Sequence, residues 1–200
     1  MLVQGLAPSL PSHRPAAAAT WWSAGGSVTD GRLVIDRLEE GRTPIEAPCG
    51  VAAPLSLPDE FVAWLELDEP YRRALARWTP SRLFAAARAF AARREKGHKH
   101  PPRDVEESVS ALDRRRLARF HAALAIDSPL AFEVDVPCFL QARGLPSTGW
   151  SGSDMRAIAR RATILEGLDV AVAARDFAIA SAAALEAIVC CTAAAHRAHA

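Results

Sequence analysis

The chain has 200 residues, of which 50% are hydrophobic and 24% charged, and this balance excludes an intrinsically disordered protein. The 24 lysines and arginines nearly cancel the 23 aspartates and glutamates, so the formal net charge is +1. Such a charge excludes an overall electrostatic field that attracts nucleic acid or an anionic membrane. Contact with nucleic acid would therefore require a local basic patch.

The cysteines lack the two-residue spacing of zinc and redox motifs. They are Cys49, Cys138, Cys190 and Cys191. We therefore expect small, buried, reduced side chains, as in a cytoplasmic protein.

Two segments bear on targeting. Met1–Pro8 has no basic start and only a very short apolar run, so no secretory signal is predicted and a cytoplasmic location is expected. Phe177–Ala195 is nearly free of charge and approaches the length of a membrane span, but Glu186 lies in its middle. A helix buried against a sheet is the better interpretation, and no membrane partner is expected.

The first forty residues predict three antiparallel strands. The apolar run Leu2–Leu6 ends before a proline, and Thr20–Ala24 carries the aromatic and β-branched residues that strands favour. Gly31–Leu38 alternates apolar and polar residues and follows an Asp-Gly turn. The chain therefore begins with a β-meander.

The remainder mixes strands with helices. Apolar or alternating runs predict strands at Cys49–Ala53 and Leu130–Val136. Helical spacing predicts helices that begin at Leu57 and that span Pro80–Arg94, Val105–Leu124, Met155–Leu165 and Ser181–His196. The order predicts one α/β domain over residues 1–200, with a mixed sheet of three antiparallel and two further strands, helices on both faces, and a helical insertion around residues 59–125.

Four short strings along this element order carry a family resemblance. They are Gly5–Ser9 (GLAPS), Gly50–Pro58 (GVAAPLSLP), Phe132–Val134 leading to Pro137, and Ala183–Ala187 (AALEA). In this order they resemble the predicted RNase H-like nucleases grouped as domain of unknown function 429. The resemblance spans nearly the whole chain and implies an RNase H-like mixed sheet.

The resemblance also implies which residues would be catalytic. In that family the strings carry aspartate at the positions that Ala7, Ala52 and Ala183 occupy here, and Glu133 is the expected acid that remains. RNase H-like nucleases cluster acids from the first strand, the fourth strand and the last helix to bind two Mg²⁺ or Mn²⁺ ions. Alanine offers no oxygen ligand, so no metal cofactor is expected and the chain is expected to be inactive as a phosphodiester hydrolase.

Three interpretations of these alanines stay open. The first is a natural pseudoenzyme that keeps the fold for binding or assembly. The second is a deliberate replacement of aspartates. The third is an incorrect alignment of the strings, with catalysis carried by other acids, such as Asp30, Asp36, Asp135 or Glu186.

Two weaker candidate sites come from the residues alone. Glu133 and Asp135 are two apart on a predicted strand, so they would share a face and could bind a metal or remain solvated. A basic segment could contact phosphates through Arg93, Arg94, Lys96, Lys99 and Arg103. That segment contains no aromatic residue to stack on a base, which favours a solvated connector instead.

Two functional hypotheses follow. The first is an RNase H-like domain of nuclease ancestry without cleavage activity, whose partner would be nucleic acid. The rival is a non-enzymatic module that binds another protein through the exposed sheet face or through Trp21 and Trp22. The sequence specifies neither the substrate nor the oligomeric state.

Overall fold

The computed structural model describes residues 1–8, 17–23, 31–37, 44–95, 112–168, 170 and 172–199. Within these ranges only the backbone is described for residues 22, 23, 31–37, 94, 95, 172–174, 177 and 199. Several residues considered above lie outside the described part of the chain, namely Asp30, Lys96, Lys99 and Arg103.

A five-stranded mixed sheet has the strand order β3-β2-β1-β4-β5. Its strands are β1 (Leu2–Ala7), β2 (Ala17–Ser23), β3 (Gly31–Arg37), β4 (Cys49–Val51) and β5 (Ala131–Glu133). The first three pair antiparallel, whereas β4 pairs parallel with both β1 and β5. The predicted α/β class with a mixed sheet is confirmed.

The described helices extend the predicted set. They are α1 (Asp59–Trp64), α2 (Tyr71–Leu75), α3 (Pro80–Glu95), α4 (Arg114–Ala122), α5 (Val136–Gln141), α6 (Met155–Gly167), α7 (Val172–Ala180) and α8 (Ala182–His199). The helices α2, α5 and α7 have no counterpart in the prediction. The strand predicted through Val136 is wrong at its end, because β5 stops at Glu133 and Val136 already begins α5.

The chain divides into two units. A sheet unit comprises residues 1–53 and 126–200, and a helical unit comprises residues 54–125. The helical unit contains α1 to α4 and interrupts the sheet unit between β4 and β5. The insertion predicted around residues 59–125 lies within it.

In the sheet unit, α8 packs closely on the centre of the sheet. A Cβ atom added to Gly5 would overlap the carbonyl oxygen of Ala187, and one added to Gly50 would overlap that of Cys190. Gly5 and Gly50 are paired across β1 and β4, so the two glycines form one shallow floor beneath the helix. The helix backbone therefore lies directly on the strand backbones.

The opposite face of the sheet is also buried. Leu6 and Val51 are paired across β1 and β4 and point away from α8, because side chains alternate along a strand. Within the sheet unit, the described contacts do not place a helix against this face. The expectation of helices on both faces therefore stays a prediction.

The helical unit has an aromatic core of its own. The Phe90 ring lies 5.3 Å from that of Phe61 and 5.6 Å from that of Trp64. Arg72 donates hydrogen bonds to the carbonyl oxygens of Leu55 and Ala123, which joins the start of this unit to its end. These contacts are independent of the sheet.

A buried arginine connects the helices of the sheet unit. Arg161 on α6 is 2% exposed and donates to the carbonyl oxygens of Ile179, Trp150 and Gly152 at 2.6 to 2.8 Å. Ile179 lies in the last turn of α7, where carbonyl groups lack helical partners. Charge-assisted bonds of this kind offset the cost of burying the guanidinium.

The cysteines follow the prediction with one exception. Cys49, Cys190 and Cys191 are buried, whereas Cys138 is exposed on α5. Burial raises the pKa of the Cys49 and Cys191 thiols to about 12, so both stay protonated and unreactive at neutral pH.

The apolar segment near the carboxyl end forms parts of α7 and α8. No helix in the described residues combines the length and the hydropathy that a membrane crossing requires.

The glycine floor predicts a strongly destabilising substitution. Gly5→Ala should lower the free energy of unfolding by about 3 kcal/mol or more, because its methyl group would have to displace the α8 backbone. Gly152→Ala is the matched control, since its Cβ would approach nothing closer than 3.3 Å. Urea unfolding followed by circular dichroism measures both changes. Equal stability of the two variants would contradict this packing of α8 on β1.

Candidate functional site

Two of the three alanines lie side by side where adjacent strands end. Ala7 is the last residue of β1, and Ala52 directly follows β4. The Ala52 N–H donates to the carbonyl oxygen of Leu6 at 2.8 Å, which extends the parallel ladder to this point. Both alanines are on the face that α8 covers, because they are two residues beyond Gly5 and Gly50.

The third alanine reaches this position through the direction of α8. The Cys191 thiol contacts the carbonyl oxygen of Val3, and Ala187 lies over Gly5, so α8 runs antiparallel to β1. Four residues of helix rise about 6 Å, close to the advance of two strand residues. Ala183 is one turn before Ala187 on the same side of α8, so the direction of the helix favours a position near the end of β1.

The resulting junction is lined with methyl groups. Ala7 and Ala52 are 0% and 3% exposed, and Ala183 is half-buried at the start of α8. All three belong to or pack against one hydrophobic cluster. The Ser181 hydroxyl accepts the N–H of Ala184, so α8 has an ordinary side-chain cap at this end. We refer to Ala7, Ala52 and Ala183 as the alanine junction.

The chemistry of the junction is apolar. Methyl groups provide neither charge nor lone pairs, so the three side chains have no means of binding Mg²⁺ or Mn²⁺. Among the described residues, no group of three His, Cys, Asp or Glu side chains is arranged to hold a metal ion.

Glu133 does not join the junction. It is paired with Val51 and therefore shares the face that points away from α8. Its neighbours Phe132 and Val134 are on the α8 side, since Val134 is beside Gly50 and the Arg197 guanidinium lies 4.5 Å from the centre of the Phe132 ring. Glu133 is exposed at the edge strand, and the expectation that it shares a cleft with the alanines is wrong.

Asp135 has a structural role that its two-residue spacing from Glu133 did not indicate. Its carboxylate accepts the N–H of Cys138 at 3.0 Å and caps the N-terminus of α5. Because β5 has already ended, the two-residue spacing from Glu133 does not place both carboxylates on one strand face. The weak Glu133 and Asp135 metal site predicted from alternation is therefore not formed by strand geometry.

Glu186 is not one of the four positions that the family resemblance assigns to metal binding. It lies three residues after Ala183 on α8 and is 7% exposed, one of the few buried charged residues. Positions three apart on a helix share a side, so Glu186 borders the alanine junction. The sequence signal that could have identified Glu186 is its position as a single acid within an otherwise apolar string.

The predicted basic segment is only partly described. Arg93 is exposed near the end of α3, and Arg94 is described by its backbone alone. Lys96, Lys99 and Arg103 lie outside the described residues, so their proposed role with phosphates stays a prediction.

Of the two adjacent tryptophans, the structure describes the side chain of Trp21 alone. Trp21 is 7% exposed and belongs to the core cluster of the sheet unit, so it offers no surface to a partner protein. The side chain of Trp22 lies outside the described part of the chain.

Comparisons with known proteins add no relatives: no protein-family model, no curated protein and no solved structure matches the chain.

The capping role of Asp135 is testable against a metal role. Asp135→Ala should lower the free energy of unfolding by about 1 kcal/mol through loss of the α5 cap, whereas Asp135→Ser should retain most of it. Thermal melts with and without Mn²⁺ measure the effect. A Mn²⁺-dependent rise in Tm of the unmodified chain that Asp135→Ala abolishes would show that the carboxylate binds metal instead.

Proposed function

We propose that the chain is an RNase H-like domain of nuclease ancestry that has no phosphodiesterase activity of its own. The observation that carries the proposal is the alanine junction. Ala7 and Ala52 lie side by side at the ends of the first and fourth strands, and the direction of the last helix supports a place for Ala183 near them. RNase H-like nucleases take their metal-binding acids from these three elements.

The mixed sheet supports the same proposal. Three antiparallel strands are followed by two that pair parallel, and the last helix lies across the first and fourth strands. This is the arrangement that the family resemblance implies, although many α/β proteins share parts of it. The coincidence of topology with three alanines at one position therefore counts for more than either feature alone.

The electrostatics of the junction support the absence of activity that we propose. Two metal ions need several carboxylates in close proximity, and their positive charge offsets the repulsion and desolvation of these groups. Alanines at these positions belong to or pack against the hydrophobic cluster, and their methyl groups need no compensating charge. Glu133 on the opposite face and the single buried Glu186 do not supply the missing ligands.

A restored site tests the proposal. The triple variant Ala7→Asp, Ala52→Asp, Ala183→Asp should be less stable than the unmodified chain without metal, because three carboxylates then share a buried site. Mn²⁺ should raise its Tm, since a ligand that binds the folded state stabilises it by about 2.7 kcal/mol at 100 times its Kd. The unmodified chain should show neither a Mn²⁺ response nor metal-dependent cleavage of labelled single- or double-stranded oligonucleotides.

Matched variants distinguish the effect of the carboxylate charge on Mn²⁺ binding from the effect of side-chain volume. The corresponding triple asparagine variant has nearly the same volume without the charge, and its Tm should not respond to Mn²⁺. Adding Glu133→Gln to the aspartate variant should leave its Mn²⁺ response unchanged, whereas adding Glu186→Gln should weaken it. Metal-dependent turnover by the unmodified chain, or a Mn²⁺ response of the aspartate variant no larger than that of the asparagine variant, would refute the proposal.

A further inference from the structure

The net charge of the whole chain is near zero, but the two units carry net charges of opposite sign. Residues 54–125 contain 14 lysines and arginines against 10 aspartates and glutamates, a net charge of +4. The sheet unit contains 10 against 13, a net charge of −3. Such an asymmetry within one chain is typical of a region that contacts a polyanion.

The excess positive charge is concentrated in two helices. In α3 and α4 every basic side chain apart from His121 is an arginine, and the acid in these helices is Glu95 at the end of α3. The nearby carboxylate of Asp113 accepts the N–H groups of Arg115 and Arg116 at 2.6 and 2.8 Å, as the cap of α4. The arginines are Arg82, Arg88, Arg93, Arg94, Arg114, Arg115, Arg116 and Arg119.

Packing of α3 against α4 brings some of these arginines together. The Arg114 guanidinium lies 5.7 Å from the centre of the Phe84 ring, while the His121 ring nitrogen Nε2 lies 2.8 Å from the carbonyl oxygen of Trp78. The two helices therefore run antiparallel. Arg88 follows Phe84 by one helical turn, so it lies on the same side as Arg114.

These residues form one exposed surface. Arg88 and Arg114 are both exposed, and Phe84 is half-buried between the two helices. We name Phe84, Arg88 and Arg114 the arginine surface. The core residues of both helices, such as Leu83 and Leu117, belong to the apolar cluster of the helical unit.

The composition of this surface favours nucleic acid over other anionic partners. Arginine binds phosphate oxygens in a bidentate manner and stacks on planar groups, and its use in place of lysine matches that task. The cores of protein–protein interfaces are depleted in charge, whereas nucleic-acid interfaces are strongly positive. A membrane-surface helix needs an exposed apolar face, but the exposed large hydrophobic residues of the described chain, Leu130 and Met155, belong to the sheet unit.

We propose that the arginine surface binds the sugar–phosphate backbone of nucleic acid. Phosphate contacts carry no sequence information, so the binding has no base-sequence preference. The Phe84 ring lies beneath the Arg114 guanidinium and helps to order it for phosphate contact, whereas the basic segment after α3 contains no aromatic residue. This inference stands on the helical unit alone and does not depend on the alanine junction.

Salt-dependent binding of the full chain tests the assignment. Fluorescence anisotropy with oligonucleotides of about 20 nucleotides, as single-stranded RNA, single-stranded DNA and duplex DNA, should show binding at about 50 mM KCl that weakens steeply with salt. The double variant Arg88→Gln, Arg114→Gln should bind about tenfold or more weakly. The slope of log affinity against log salt should fall by about 1.5 to 2, because two phosphate contacts are lost. The relative affinities of the three probes identify the preferred nucleic acid.

A control variant with the same change in net charge distinguishes loss of the arginine surface from a general effect of charge on binding. Arg156 and Arg160 are exposed on α6 in the sheet unit, and replacing both with glutamine should change the affinity less than twofold. Circular dichroism should show unchanged helix content in both double variants. Equal loss of affinity in the two variants, or no binding by the unmodified chain at low salt, would overturn the proposal. Equally tight binding of polyglutamate or of phosphatidylserine vesicles would overturn the assignment to nucleic acid.

Discussion

The backbone contact between α8 and the paired glycines Gly5 and Gly50 determines how closely the helix lies on the sheet at the three alanine positions. Side chains at these two glycines would hold the helix away from the sheet, so their absence sets the depth of α8, while the contacts of Ala187 with Gly5 and of Cys191 with Val3 give its direction. With that direction, the first turn of the helix lies towards the end of β1. Ala183 is therefore expected near Ala7 and Ala52 without any polar interaction to draw it there.

The same contact bears on how the alanine junction would differ from the metal site of the proposed nuclease ancestor. Carboxylates at these buried positions would repel one another and lose solvation, and cations would have to offset both costs. Alanine removes that requirement and adds to the hydrophobic cluster instead. Loss of catalytic residues often raises the stability of a fold, because functional sites are commonly strained or electrostatically unfavourable. Under the proposed nuclease ancestry, the alanine junction replaces catalytic acids with side chains that add to the packing of the core.

Hydrophobic patterning identified the strands and the longer helices, because burial determines both. It placed β1, α3, α6 and α8 within a few residues of their observed bounds. It failed at Asp135, since a capping aspartate after a short strand has the same alternating spacing as a second strand carboxylate. Patterning also did not predict the position of Glu133, because the sheet face on which a side chain lies depends on the register between neighbouring strands. The charge of the helical unit is not visible in the total of the whole chain, although the insertion predicted around residues 59–125 contains every charged residue of that unit.

Crystals of the triple variant Ala7→Asp, Ala52→Asp, Ala183→Asp soaked in Mn²⁺ provide the most direct measurement of the central claim, which is that these three positions share one site. Anomalous diffraction should locate Mn²⁺ between the three aspartates, beside the first turn of α8 and within about 2.5 Å of their carboxylate oxygens, the range of hard-cation ligation. Manganese bound at Glu133 or elsewhere, with none between residues 7, 52 and 183, would contradict the account.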